Sequence, residues 1–416
     1  MMRRRTFIQS ASTAAGIAIG TQAPNGWIRS MANELVSPNS DSDRILVVIQ
    51  LSGGNDGLNT VVPHNNDEYK KARPKLKIDS SDVIRLNEEL GFHPSLSSLA
   101  SLLEKQKLSI IQGVGYENPN RSHFESMDIW HSCKPKSSRS RSGWIGRMIS
   151  EAKGRETDDS FALHLGNEPI PMALVHRGVQ VPSLASVEQF RLKADRNKSN
   201  AITATSMSSP SSTDSRPSEP TDEDLASFLS VSTQTALQAS SRIETMTATP
   251  DDSKDFPDTS LGEKLRTISR LILAGLNTRI YYVTLDGFDT HANQLSAHAA
   301  LLRQWSESLA AFHTRLERAG QSDRVLVMTF SEFGRRVAEN ASLGTDHGAA
   351  APMMLSGPSM KRMLVGDLPS LTQLEDGDLK YHTDFRSVYR SVVEDWFGLQ
   401  SAGMELGDFA SIPLFA

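Results

Sequence analysis

Five short polar stretches hold the residues able to do chemistry. SGGNDGLNT (52–60) carries Asn55, Asp56 and Asn59, NRSHFE (120–125) carries Arg121 and Ser122, and DGFDTH (286–291) carries Asp286, Asp289 and His291. SEFGR (331–335) adds Glu332, and GTDHG (344–348) adds Asp346 and His347. Acids brought together without a partner repel and raise one another's pKa, which a divalent cation relieves. Asp, Glu and His without a thiol suit zinc, manganese, iron or magnesium, not a cysteine-built structural zinc site. His347 reads as a ligand, with Asp346 as the carboxylate that orients it. Plainer roles compete. Asp56 suits a tight turn, Asp289 an Asx turn, and His291 a helix start. Ser122 and Glu125 are spaced as a capping box. That role is compatible with a nucleophile, because a helix N-terminus also stabilises phosphate or sulfate. His123 reads as a surface histidine, and His93, His164 and His176 as packing or loop residues, with His382 an outer candidate.

Such residues need a frame. Apolar, β-branched runs at 44–51, 107–114, 280–285 and 324–330, with a weaker one at 352–357, predict strands covered on both faces. Helical spacing marks 262–278, 295–320 and 384–398. Strand, helix and strand alternate, which predicts an α/β fold: a mainly parallel central sheet with helices on both faces. In such sheets ligands sit outside the carboxyl ends of the strands, where the polar stretches fall. Ser, Thr, Asp and Pro dominate 192–258, a polar surface insertion within a single domain over 43–416.

The N-terminus, MMRRRTFIQSASTAAGIAIG, sets Arg4 and Arg5 before a short, weakly apolar run. That order predicts a twin-arginine signal over 1–32, the twin-arginine translocase as export partner, and a periplasmic or secreted product. Its apolar run is too short to span a bilayer, and no later run is long enough. A net charge of −5 gives no basic footprint, which argues against nucleic acid. The lone cysteine, Cys133, excludes an internal disulfide framework.

VVIQLSGGNDGLNTVVP, Tyr69 followed by RPKL, GVGYENPNRSHFESMDIW, GFDTHANQ and SEFGRRVAENASLGTDHG together resemble the bacterial exported family DUF1501, a domain of unknown function. The resemblance spans nearly all the chain outside the leader and the polar insertion. That family is similar to a distant branch of the alkaline-phosphatase-like superfamily of phosphatases, sulfatases and cofactor-independent phosphoglycerate mutase. The resemblance implies that fold, with Asp56 as a metal ligand ending the first strand and Ser122 as nucleophile. It implies a metal held by Asp289 or Asp286 with His291 and His347. A second metal would take an Asp-His pair that here reads Glu332-Phe333, of which Glu332 can still ligate and phenylalanine cannot. CKPKS (133–137) lacks the arginine of the sulfatase formylglycine motif, Ser137 standing in its place, and Cys133 falls at the wrong end of the helix.

The implied activity is an exported, metal-dependent hydrolase of phosphate or sulfate esters, small or carried on a polysaccharide. One or two divalent ions of the zinc, manganese or magnesium class would serve it, with Asn55 or Arg121 on the non-bridging oxygens. The alternative is a non-catalytic binding or assembly protein on the same fold with at most one structural metal.

Overall fold

The computed structural model describes residues 43–138, 140–152, 160–184 and 255–416. The expected signal, and the expected insertion apart from 255–258, lie outside the described residues. Among the described residues nine strands form one sheet. They are β1 (Ile45–Leu51), β2 (Leu108–Gly115), β3 (Ala162–Leu165), β4 (Ser183–Leu184) and β5 (Ile280–Leu285). After them come β6 (Val325–Phe330), β7 (Ala351–Ser356), β8 (Leu364–Val365) and β9 (Thr383–Asp384). The order is β8-β2-β7-β6-β1-β5-β3-β4, with β9 also pairing β2.

β1 runs parallel between β5 and β6, with every residue buried. Its pleat explains the unbroken apolar run. Ile45, Val47 and Ile49 face one core, and Leu46 and Val48 face the other. The first core is covered by α3 (Ser260–Leu273) through Leu261, Leu265 and Ile268, and by α4 (Gln294–Arg318) through Trp305, Leu309 and Phe312. The second is covered by α1 (His123–Ser132) through Trp130, by α2 (Trp144–Glu151) through Trp144, and by α5 (Phe385–Ser391) through Tyr389. Each such aliphatic side chain contributes about 1.5–3 kcal/mol on burial, so the two-sided cover fixes the position of the strand ends. The run expected as one helix over 384–398 is α5 followed by a π-turn at Val392–Trp396. No helix of the described residues is long and apolar enough to cross a membrane.

One strand departs from the parallel plan and matters for the site. β7 is antiparallel to both β6 and β2. Antiparallel neighbours need no crossover, so the whole segment between Phe330 and Ala351 stays at the carboxyl end of β6. It is pinned there by a bridge between Arg335 and His347.

Candidate metal centre

The parallel strands β1, β5 and β6 release their chains at one edge. The loop after β1 turns sharply at Gly53 (φ +116) and Gly54 (φ +80). A Cβ on Gly53 would lie within 3.0 Å of the Asp289 backbone nitrogen, so only glycine lets the β1 and β5 loops approach this closely. α1 begins at the same edge and presents His123 from its first position.

Four side chains converge there. His347 Nε2 lies 3.0 Å and His291 Nε2 3.1 Å from Asp289 Oδ1, and the two nitrogens are 2.9 Å apart. His123 Nε2 is 3.5 Å from Asp289 Oδ2. His123, Asp289 and His347 alone offer donor atoms within 4.8 Å of one another. The opposite ring nitrogens decide the tautomers. His347 Nδ1 is 2.8 Å from the Arg121 carbonyl oxygen, His291 Nδ1 3.2 Å from Asp346 Oδ1, and His123 Nδ1 3.0 Å from Glu332 Oε1. A carbonyl or an ionised carboxylate only accepts, so each Nδ1 carries the proton and donates it. A neutral ring held this way would offer its Nε2 lone pair to an ion beside the Asp289 carboxylate. Around a tetrahedral ion with nitrogen and oxygen ligands, donor atoms stand about 3.3 Å apart, close to these spacings. The carboxylate is ionised: partial burial opposes its charge, but the hydrogen bond and charge of the Arg335 guanidinium outweigh that and hold Asp289 at about 2. The Glu332 hydrogen bond raises the pKa of His123. With Asp289 and His291 both nearly half exposed, the cluster opens to solvent.

The other expected site residues are placed as follows. Asp286 is exposed, and it is Asp289 that enters the cluster. Glu332 is fully buried and accepts from the Gly53 amide at 2.8 Å as well as from His123, so it orients a histidine. Asp346 orients His291, whereas its expected partner His347 is held by the Arg121 carbonyl. Asp56 is not brought to the cluster. Its carboxylate is buried against the Arg73 guanidinium at 2.6 Å and also accepts from Gln294. Burial works against its charge, but Arg73 prevails and keeps its pKa below the usual carboxylate range. Asn55 is buried too, its Oδ1 accepting from Thr60 at 3.1 Å and His298 at 2.9 Å. The Arg121 side chain donates to Asp378 at 2.7 Å. Ser122 is exposed at the N-cap of α1, and its hydroxyl makes no capping bond. The expected capping box does not form, because Glu125 takes the Asn120 side chain instead.

Phe333 packs its ring 4.9 Å from His123 and 4.7 Å from His347. Burial pushes the Cys133 thiol up to about 12, which leaves it inert. His93, His164, His176 and His382 hydrogen-bond elsewhere. The sequence alone singles out neither His123 nor Arg335. The signal for His123 was its place one residue into a helix that opens at the site edge.

A family model described as "Protein of unknown function (DUF1501)" matches residues 43–385, the family named from the motifs. No curated protein matches the chain. Solved structures similar to it include a protein in the alkaline phosphatase superfamily from Vibrio parahaemolyticus, at 8% identity and TM-score 0.36, over 80% of this chain and 64% of that one. A 2-O GAG sulfatase matches at 11% identity and TM-score 0.36, over 89% and 73%. The C-terminal periplasmic domain of EcEptC from Escherichia coli, in complex with Zn, matches at 8% and 0.38, over 77% and 74%. Likenesses of this size bring no chemistry to this chain. That rests on its own side chains.

Proposed function

We propose a function from this premise: the chain belongs to the DUF1501 family, and its open edge is a divalent-cation centre that hydrolyses phosphate or sulfate esters. One observation carries this. Three histidines set Nδ1 2.8–3.2 Å from a carbonyl or carboxylate oxygen while their Nε2 atoms gather at Asp289. A donor set of His123, His347 and Asp289, with His291 beside them, suits a zinc-class ion, and its openness suits catalysis over a closed structural site. When bound, the ion supplies Lewis acidity and neutralises charge developing on the ester oxygens.

The remaining work falls to the chain. Ser122 stands beside His123 at a helix N-terminus, exposed and without a capping bond. There the backbone amides and helix dipole favour an anionic ester. Its Oγ attacks phosphorus or sulfur in line as its proton passes to solvent, the ester oxygen leaves with the bonding pair and takes a proton from water, and a second water then releases the acid and restores the serine hydroxyl. Glu332, Asp346 and the Arg121 carbonyl keep the three rings from rotating. Arg4 and Arg5 would send the folded product through the twin-arginine route to the periplasm or beyond, where a sulfated or phosphorylated polysaccharide is an accessible substrate.

The test pairs metal analysis with turnover. Purified protein should contain a stoichiometric transition ion. In a panel of aryl phosphates, phosphodiesters and aryl sulfates, Ser122→Ala should lose roughly 10³-fold or more of kcat with its metal retained. Undiminished turnover in Ser122→Ala removes the nucleophile. Metal without turnover by the wild type favours a second reading, a binding or assembly protein with one structural ion. The internal commitment of Asp56 and Glu332 speaks for that reading.

A further inference from the structure

Beneath the cluster lies Arg335, buried to 2% exposure, its guanidinium ringed by oxygen atoms. Nε donates to the Gly54 carbonyl at 2.7 Å and Nη1 to that of Thr345 at 2.8 Å. Nη2 donates to the Phe288 carbonyl at 2.9 Å, to Asp289 Oδ1 at 2.8 Å and to the Gly53 carbonyl. These acceptors come from the loops after β1, β5 and β6. Four carbonyl dipoles and a carboxylate thus point their negative ends at one place. An all-oxygen cage of this kind is what hard cations such as Ca²⁺ or Mg²⁺ take. The Phe333 ring closes one side: a Cβ on Gly54 would clash with it and would lie 3.3 Å from Arg335 Nε.

We infer that the Arg335 guanidinium is a built-in second cation, so that the centre is mononuclear. It shares Asp289 Oδ1 with the ion held by the histidines and fills the oxygen cage a second ion would need. A covalently attached charge cannot be lost by dilution or chelation, and its planar fork distributes its bonds over three loops. This rests on the reading of the His-Asp cluster as a metal site, and its test is made to fail separately.

The experiment titrates metal-free protein with Co²⁺, followed by visible absorption and by elemental analysis. Ca²⁺ and Mg²⁺ are then added in a calorimeter. Wild type should saturate at one Co²⁺ per chain and take no Ca²⁺ or Mg²⁺. Arg335→Gln, its fold checked by circular dichroism, should keep the first ion and gain a second, weaker ion of the hard class. Arg335→Lys, which retains the charge, should fold and stop at one. Two ions in the wild type overturn the inference, as does a folded Arg335→Gln that stops at one. If Arg335→Gln does not fold, Arg335→Lys decides: one ion supports the inference, and a second ion or loss of fold overturns it. A wild type that binds no Co²⁺ sinks the metal reading itself, a result distinct from the others.

Discussion

At the scale of single residues, the site is set by what holds the far side of each ring. Glu332 sits fully buried with its Oε1 shared between the Gly53 amide and His123 Nδ1. Both are donors, so the carboxylate fixes the tautomer of His123 and the position of the β1 loop together. Glu332→Gln keeps the shape but presents an amide that can turn its NH₂ towards the ring. Loss of such a partner typically weakens metal affinity 10–100-fold, and competition with a chromophoric chelator would measure it. An unchanged affinity would show that His123 is no ligand. Asp346→Asn should act the same way through His291, but less, because Asp346 is exposed and Asn340 already donates to it. These residues show where the sequence was legible. Asp289, His291 and Glu332 stand out because they follow apolar strand runs, and His347 because it stands just before the next one. His123 did not, since a histidine inside S-H-F-E is explained by the helix start alone. Nor could the text show that Asp56 faces Arg73. The two are only 17 positions apart, yet their meeting depends on tertiary packing.

Between elements, that Asp56–Arg73 pair does the joining. Asp56 belongs to the turn after β1, while Arg73 follows the helix Asp67–Ala72 and also donates to the carbonyls of Val337 and Arg336 at 2.9 Å each. One guanidinium therefore ties the β1 loop to the segment between β6 and β7 that carries Asp346 and His347. Asp56→Asn would leave Arg73 buried without a counter-charge, a change that costs about 3–5 kcal/mol. The melting temperature should fall by several degrees, and the variant should lose metal affinity through the loops that Arg73 no longer holds together. The pH dependence follows by sign. The folded pKa of Asp56 lies below its ordinary value, so its contribution is present above about pH 4 and is lost as pH falls through the folded value. The Asn variant should lack that part of the acid limb. Strands and helices were largely readable, because apolar runs covered on both faces leave little choice of element. The antiparallel setting of β7 was not, since direction is not written in a six-residue apolar run. That setting keeps the residues from 331 to 350 at the site edge.

On the scale of the whole molecule, the proposed ligands span positions 123 to 347 and come from two separate loops and a helix start. No such group exists in an unfolded chain, so ion binding adds its free energy directly to folding. With free ion at about 100 times the dissociation constant, that contribution is about 2.7 kcal/mol, enough to move the melting transition by a few degrees. Differential scanning calorimetry with and without a chelator should show this drop in wild type. Ser122→Ala should show it in full, because its hydroxyl holds no part of the cluster in place. His347→Ala should melt at one temperature under both conditions, since losing Nε2 opens the cluster where two of its closest contacts meet. The three proteins together separate an ion that organises the fold edge from one bound elsewhere on the surface. If His347→Ala keeps the full chelator response, the ion lies elsewhere, and the convergence on Asp289 is then a hydrogen-bonded cluster alone.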